Sequence, residues 1–470
     1  MSISRKLAAT AIALPLALSA YAADEEDHRL PLLAEAQFPV TATRGLKAPD
    51  NHIVFGISGE HTDNATRAEF DGMSDTVLAA LTSFGYSFPE TRRASARIEG
   101  DLTYQEYMED SQESELIAHA SGEAAVQVID DHLTWVVADE LTQGRVDETE
   151  ALTAANRQNV NLAMTGLRFA TRIGDHNLLR VDGQYELSDY EVSSDGDSDA
   201  LVGRVAWIRE LGRRQALRLA VTARDVSYQG ETLFPDYQGL DYAIAWGASG
   251  AYTDLTIEGG YTTIETEDND TFEEPLYRVQ LSRSLTQRLT LDVVATHELT
   301  GTSDAIHFDQ TLGGRGPRTS EVAINPDPFV FDFAGVSLRF EGRRFAMELG
   351  ASTSRDRYTT SVEDDRDRVE ATLRLNLLRG PRLRFGAFAQ YEDETFVERD
   401  DAESTYIDFG LFASTAIGAR TRLQVSVGRS ERDTTFANGG YEENFGRLAL
   451  MHSLGRGDPD SLLDTSRSGR

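Results

Sequence analysis

The sequence predicts an all-β protein: a single transmembrane, antiparallel, up-and-down β-barrel of about twenty strands, with eighteen as the alternative, short periplasmic turns and long acidic extracellular loops. Three observations carry this. Apolar residues alternate with period two from about residue 50 to 454, the side-chain period of a β-strand. The connections between the alternating runs are short and long by turns. No later stretch approaches the roughly 20 apolar residues of a spanning helix, although residues 1–22 read as an export signal.

In that signal Arg5 and Lys6 give the positive start, Leu7 to Leu18 the short apolar run, and Ala20-Tyr21-Ala22 a small-x-small cleavage site. Cleavage after Ala22 leaves a chain beginning Ala23-Asp24-Glu25-Glu26. Residues 23–50 are expected as a flexible periplasmic lead, 51–454 as the barrel and 455–470 as a polar C-terminal tail. The expected location is the Gram-negative outer membrane. The chain has no cysteine, which excludes disulfides and thiolate metal sites. A formal charge of −33 argues against nucleic acid as a partner. Lys6 and Lys47 are the only lysines among 45 basic residues. Arginine forms planar bidentate contacts with carboxylates, which suits a carboxylate-rich polar interior; biased genomic composition explains the same usage equally well.

The alternation is clean at 369–377, where Val369, Ala371, Leu373, Leu375 and Leu377 oppose Glu370, Thr372, Arg374 and Asn376. At 179–188, Leu179, Val181, Gly183, Tyr185 and Leu187 oppose Arg180, Asp182, Gln184, Glu186 and Ser188. A soluble sandwich also alternates, so the connections decide. Short ones fall near 88–93, 130–132, 173–176, 212–215, 251–253, 284–287, 342–344, 379–382 and 417–420. Longer ones lie near 62–73, 145–157, 190–199, 229–239, 265–273, 300–328, 358–366, 394–404 and 432–441, with 108–114 intermediate. One short rim and one long rim mark bacterial outer-membrane barrels. Hydrocarbon supplies no hydrogen bonds, so the sheet must close on itself.

Two runs are less regular. Residues 51–61 form a weaker strand. Residues 329–340 shift phase, Phe329, Phe331 and Phe333 falling on one face and Val336, Leu338 and Phe340 on the other, which a β-bulge would reconcile. Aromatics near strand ends (Tyr86 and Phe88, Tyr104 and Tyr107, Tyr185 and Tyr190, Tyr391 and Phe396) suit interfacial girdles. The long loops are acidic, as in Glu265, Glu267, Asp268, Asp270 and Glu273. The short turns carry arginines such as Arg213, Arg214, Arg343 and Arg344.

With the strands placed, the chain resembles the β-barrel porins that include outer-membrane proteins of exopolysaccharide loci and PEP-CTERM systems. The likeness lies in the glycine-spaced first strand GISGEHTDNATR at 56–67 with Asp63-Asn64 at its outer end, the Ser74-Asp75 entry to the next strand, and the hairpins that follow. It runs over about 50–454. One departure is the polar tail from Gly455 to Arg470, where many outer-membrane barrels end on an aromatic residue.

Several motifs carry residues of chemical interest. Phe38-Pro39-Val40-Thr41-Ala42-Thr43 is similar to an energy-coupling box, but too few residues precede the first strand for a plug, so a periplasmic lead is expected. Asp195-Gly196-Asp197-Ser198-Asp199 alternates carboxylates as calcium loops do, without the matching glutamate, and reads as a solvated turn. His119 shares the expected inner face with Ser121 and Glu123; His297 follows an outward apolar face and belongs near the outer interface. No catalytic constellation emerges, so no enzyme and no cofactor are expected. The connection 300–328 carries Asp304, His307, Asp309, Arg315 and Arg318, and is expected either to fold inward as a constriction or to remain a mobile surface loop.

The residues expected to line the lumen are Arg97, Glu99, Asp101, Arg180, Asp182, Arg204, Arg218, Arg224, Arg278, Asp292, Glu348, Glu370, Arg374 and Arg384. The leading function is a porin-like passive conduit linked to export of an acidic or neutral polysaccharide. The alternatives are a structural or surface-binding barrel with an occluded pore, and a barrel-embedded hydrolase built on a histidine. Expected partners are outer-membrane lipid and lipopolysaccharide, the outer-membrane assembly machinery and polysaccharide-export components.

Overall fold

The computed structural model describes residues 51–455 apart from 89–92, 148, 230–234, 268–269, 302–326, 381, 400–401 and 438. The signal, the lead with its 38–43 segment, the tail beyond Gly455, and Asp304, His307, Asp309, Arg315 and Arg318 lie outside these residues.

The strands are β1 (His52–Thr62), β2 (Asp75–Phe88), β3 (Ala94–Tyr107), β4 (Glu115–Ile129), β5 (Leu133–Arg145), β6 (Arg157–Arg172) and β7 (Asn177–Tyr190). Then come β8 (Ser198–Gly212), β9 (Gln215–Tyr228), β10 (Tyr237–Ser249), β11 (Thr253–Thr266), β12 (Thr271–Thr286), β13 (Leu289–Thr300) and β14 (Phe329–Glu341). The last are β15 (Phe345–Tyr358), β16 (Arg366–Arg379), β17 (Leu383–Phe396), β18 (Glu403–Ala416), β19 (Thr421–Thr434) and β20 (Tyr441–Gly455). Every strand pairs antiparallel with its sequence neighbours in one 20-stranded sheet, and β20 returns to β1 with Gly455 opposite His52. The sheet is a closed barrel without a free edge, which satisfies the ladder hydrogen bonds internally. Twenty rather than eighteen strands follows because both irregular runs, 51–61 and 329–340, are complete strands.

Gly174 and Gly380, at φ 70° and 77°, turn the β6–β7 and β16–β17 hairpins in the left-handed region that a Cβ disfavours. Among the described residues, register shifts occur beside short turns, at Gln127/Ile129, Glu210/Gly212 and Ser284/Thr286. The bulge expected in 329–340 is absent, because β14 keeps one register with both β13 and β15. Its phase shift has another cause. Phe329, Phe331 and Phe333 are buried on the inner face with Val294 and Tyr358, whereas Val336 faces outward. The strand does not change phase; the surroundings of its inner face do.

The resemblance residues 63–75 lock the closing seam at its outer end. Asp63 accepts hydrogen bonds from the backbone and side-chain amides of Asn444 at 2.7 and 2.8 Å. The Asn64 amide donates to the carbonyls of Ala68 and Glu442 at 2.8 and 2.9 Å. Asp75 accepts from Thr76 N at 2.6 Å, Glu109 N at 2.9 Å and Ser111 Oγ at 2.6 Å, tying the 108–114 connection to β2.

The outward face is apolar and exposed around the ring, as at Ile57, Leu201, Leu219, Val336, Leu411 and Val427. Contiguous exposed apolar surface on this scale belongs in lipid. Tyr104, Tyr185, Tyr242, Tyr261, Tyr277 and Tyr391 stand outward near its outer border, and Tyr86, Phe88, Trp135, Phe345 and Phe385 near the periplasmic one. Tyr107, Tyr190 and Phe396 do not join the outer girdle. Each is buried on the inner face, one residue too many or too few from its outward neighbour for the period-two phase.

Inside, phenyl rings lie over glycines on the next strand. Gly428 pairs with Phe445, Gly386 with Phe412 and Gly410 with Phe388. A Cβ on Gly428 would collide with the Phe445 ring and stand 2.6 Å from the Phe409 carbonyl oxygen. Gly428→Ala is therefore expected to lower stability by about 1–3 kcal/mol, the cost of overpacking. Gly446→Ala, at a position with open space, is the control; equal urea midpoints for the two variants would remove this packing argument.

Candidate functional site

Among the described residues, chemistry-bearing side chains collect on the inner face and at the outer mouth. All of Arg97, Glu99, Asp101, Arg180, Asp182, Arg204, Arg218, Arg224, Arg278, Asp292, Glu348, Glu370, Arg374 and Arg384 stand on the strand phase turned toward the axis. They fall into two environments.

Across β6–β13 the charges pair tightly. Asp182 accepts from Arg168 Nε at 3.0 Å and Arg180 Nε at 2.7 Å. Arg218 Nη2 lies 2.6 Å from Glu258, each side chain 1% exposed. Arg278 bridges Glu258 at 3.5 Å and Glu298 at 2.7 Å. Arg224 meets Asp241 at 2.7 Å, Asp292 accepts from Ser282 Oγ at 2.7 Å, and Arg204 stands in register with Asp182. Small residues make room: Ala206, Ala220 and Ala245 are buried among these arginines, and a Cβ on Gly239 would sit 2.6 Å from Arg224 Cγ. Long side chains can therefore lie along the wall and reach partners on neighbouring strands. Buried charges persist only when so paired.

Elsewhere the periplasmic half of the wall keeps solvent contact. Arg97 meets Glu99 at 2.6 Å and Arg339 meets Glu348 at 3.1 Å, with Glu99 and Glu348 side chains 42% and 38% exposed. Asp101, Glu123, Glu370, Arg374 and Arg384 are half-buried.

The outer end is different again. Arg366 meets Asp356 at 2.6 Å and Glu394 at 3.5 Å, while Arg368 reaches Glu392 at 3.3 Å and Glu394 at 2.9 Å, all buried. Residues 149–156 of the β5–β6 connection lean across to β19 and β20. Arg432 Nη1 donates to the Glu150 carbonyl at 2.6 Å. Arg67, in the β1–β2 connection, donates to the Leu152 carbonyl at 2.8 Å, pairs with Glu443 at 3.2 Å and stacks over the Tyr441 ring at 5.2 Å. Burial alone would lower the basicity of Arg67, but Tyr441, Glu443 and Tyr406 outweigh it and hold the guanidinium above its ordinary value. Gln112 links both connections, donating to the Ala65 carbonyl and accepting from Ala154 N at 2.9 Å. Ala65, Leu152 and Asn156 are buried as a result.

Sequence reasoning did not single out Arg168, Asp241, Glu258 or Glu298, although their inward phase was readable. It placed Arg67, Arg366, Glu394 and Arg432 in or at the edge of long extracellular connections, so the mouth was missed. His119 lies on the inner face in register with Asp101 of β3, its Nδ1 3.4 Å from Thr142 Oγ1. His297 stacks on Tyr277 at 4.6 Å and bonds Asp332 at 2.7 Å near the outer border. Asp197 accepts from the Tyr190 backbone at 2.7 Å. Among the described residues no group of three or more His, Asp or Glu could hold a metal ion.

No family model and no curated protein matches the chain. Several solved structures superpose on the chain. The FrpB iron transporter of Neisseria meningitidis superposes with a TM-score of 0.43 at 9% identity, covering 88% of this chain and 83% of that one. The siderophore receptor PirA of Pseudomonas aeruginosa gives 0.41 at 10%, covering 87% and 81%. The copper transporter OprC gives 0.40 at 11%, covering 87% and 81%. No cargo follows from these superpositions. By its own fold the chain is a twenty-stranded transmembrane barrel of the outer-membrane type, with charge-paired inner walls and an infolded outer mouth.

Proposed function

We propose that the protein is an outer-membrane transport barrel working as a porin-like passive conduit, linked to export of an acidic or neutral polysaccharide. The observation that carries this reading is the periplasmic half of the inner wall outside β6–β13, which keeps solvent contact and is lined by paired charges such as Arg97–Glu99 and Arg339–Glu348. A ring of this many strands leaves an aqueous channel unless segments fill it. Interleaved arginines and carboxylates present no field of one sign, so neither a neutral nor an acidic saccharide is trapped or repelled along the wall. On this reading the barrel is not an enzyme and needs no cofactor. Its partners are outer-membrane lipid and lipopolysaccharide, the assembly machinery that inserts it, and polysaccharide-export components.

Purified protein in a planar bilayer is expected to give discrete conductance steps that oligosaccharides diminish. A correctly folded protein that never conducts would leave the second reading, a structural barrel with an occluded pore. The buried outer mouth is the observation that favours this alternative.

A further inference from the structure

The β5–β6 connection reaches strands that are not its neighbours. From β5 to β19 the ring passes β4, β3, β2, β1 and β20, yet Glu150 accepts its hydrogen bond from Arg432 of β19. The Thr149 carbonyl lies so close to Gly439 that a Cβ there would stand 2.6 Å from it. Residues 149–156 are braced internally. Asn156 Oδ1 accepts from Asp147 N at 2.7 Å and its amide donates to the carbonyls of Asp147 at 2.6 Å and Ala151 at 3.2 Å. A 3-10 turn at Ala154–Asn156 completes the brace. The segment begins beyond the last β5–β6 ladder pair, Arg145 opposite Arg157, so it can swing about its two ends without unpairing a strand. Loop openings of this kind occur below the free energy of global unfolding.

We infer that residues 149–156 form a displaceable strap that closes over the outer mouth, pinned at the β19–β20–β1 seam by Arg67 and Arg432. The inference rests on the conduit reading only for what the strap blocks, not for how it is held. Guanidinium-to-carbonyl bonds from Arg67 to Leu152 and from Arg432 to Glu150 are its pins at the seam, Gln112 holds Ala154 N nearer its β6 end, and Leu152 is the larger of the two apolar side chains it buries. Breaking either pin, or crowding the strap off the β19–β20 rim, exposes Leu152 to the cell exterior.

The chain has no cysteine, so Leu152→Cys in the full-length protein is a clean reporter for a membrane-impermeant maleimide applied to whole cells. Adding Arg432→Gln is expected to speed labelling about tenfold, the factor for one lost charge-assisted hydrogen bond. Gly439→Ala leaves both arginines in place and displaces the strap sterically; it is expected to speed labelling as well, which separates strap release from any damage at Arg432. Unchanged labelling in both backgrounds would overturn the strap. Faster labelling accompanied by larger or more frequent conductance steps supports strap and conduit together. Faster labelling of a barrel that still never conducts keeps the strap and sinks the conduit instead.

Discussion

Replacing Arg218 by alanine is expected to lower the stability of the folded barrel by about 3–5 kcal/mol, because it leaves a buried carboxylate without its closest partner. Glu258 is as buried as Arg218 and 2.6 Å from it, and its ion pair with Arg278 is longer, at 3.5 Å. Removing both members is milder. Arg218→Met combined with Glu258→Gln deletes the isolated charge, and Arg278 retains Glu298 at 2.7 Å, so the double variant should recover most of the single variant's loss. Urea unfolding from lipid vesicles, followed by the fluorescence of the 3 tryptophans, gives both numbers. A loss below about 1 kcal/mol for Arg218→Ala is what a solvated ion pair costs; that result would mean this stretch of inner wall is wet, and the division of the lumen into dry and wet walls would fall.

The second large effect tests which face meets lipid. Leu411→Arg, at an exposed outward position on β18, is expected to cost about 2–4 kcal/mol, the price of an arginine facing hydrocarbon near the bilayer middle. Thr372→Arg, half-buried on the inner phase of β16, places the same side chain in the lumen among Glu370 and Arg374 and is expected to insert and fold nearly as the parent does. Heat-modifiable migration on gels and urea midpoints report the two. Equal penalties, or a larger one for Thr372→Arg, would reverse the assignment of faces.

The barrel itself was legible. Period-two alternation at 369–377 and 179–188 separates the same residues that the structure places in lipid and in the interior. The rhythm of short and long connections gave the strand order, since up-and-down closure leaves a chain of hairpins no other arrangement. Even the weak first strand was readable, because a barrel of hairpins must close by pairing its first strand with its last; Asp63 and Asn64 do the closing at the outer end.

The strand ends were not legible, for a definite reason. Alternation says that Tyr104 and Tyr107 face opposite ways but not where each meets water, lipid or other protein. Once Tyr104 stands at the lipid border, Tyr107 must turn inward and be buried there. Phe329, Phe331 and Phe333 likewise mimic a lipid face, because the interior they meet is packed rather than aqueous.

What the sequence by itself determined is the set of side chains on each face of each strand and the order in which the strands pair, both consequences of local backbone geometry and hydrocarbon's refusal to solvate a peptide edge. What only the tertiary structure decided is which charges meet and whether the mouth is open. Arg432 and Glu150 are 282 residues apart along the chain, and Arg218 finds Glu258 across an intervening strand. Such encounters depend on barrel stagger and on how loops fold over a wide ring, and these are properties of the closed sheet rather than of any strand within it.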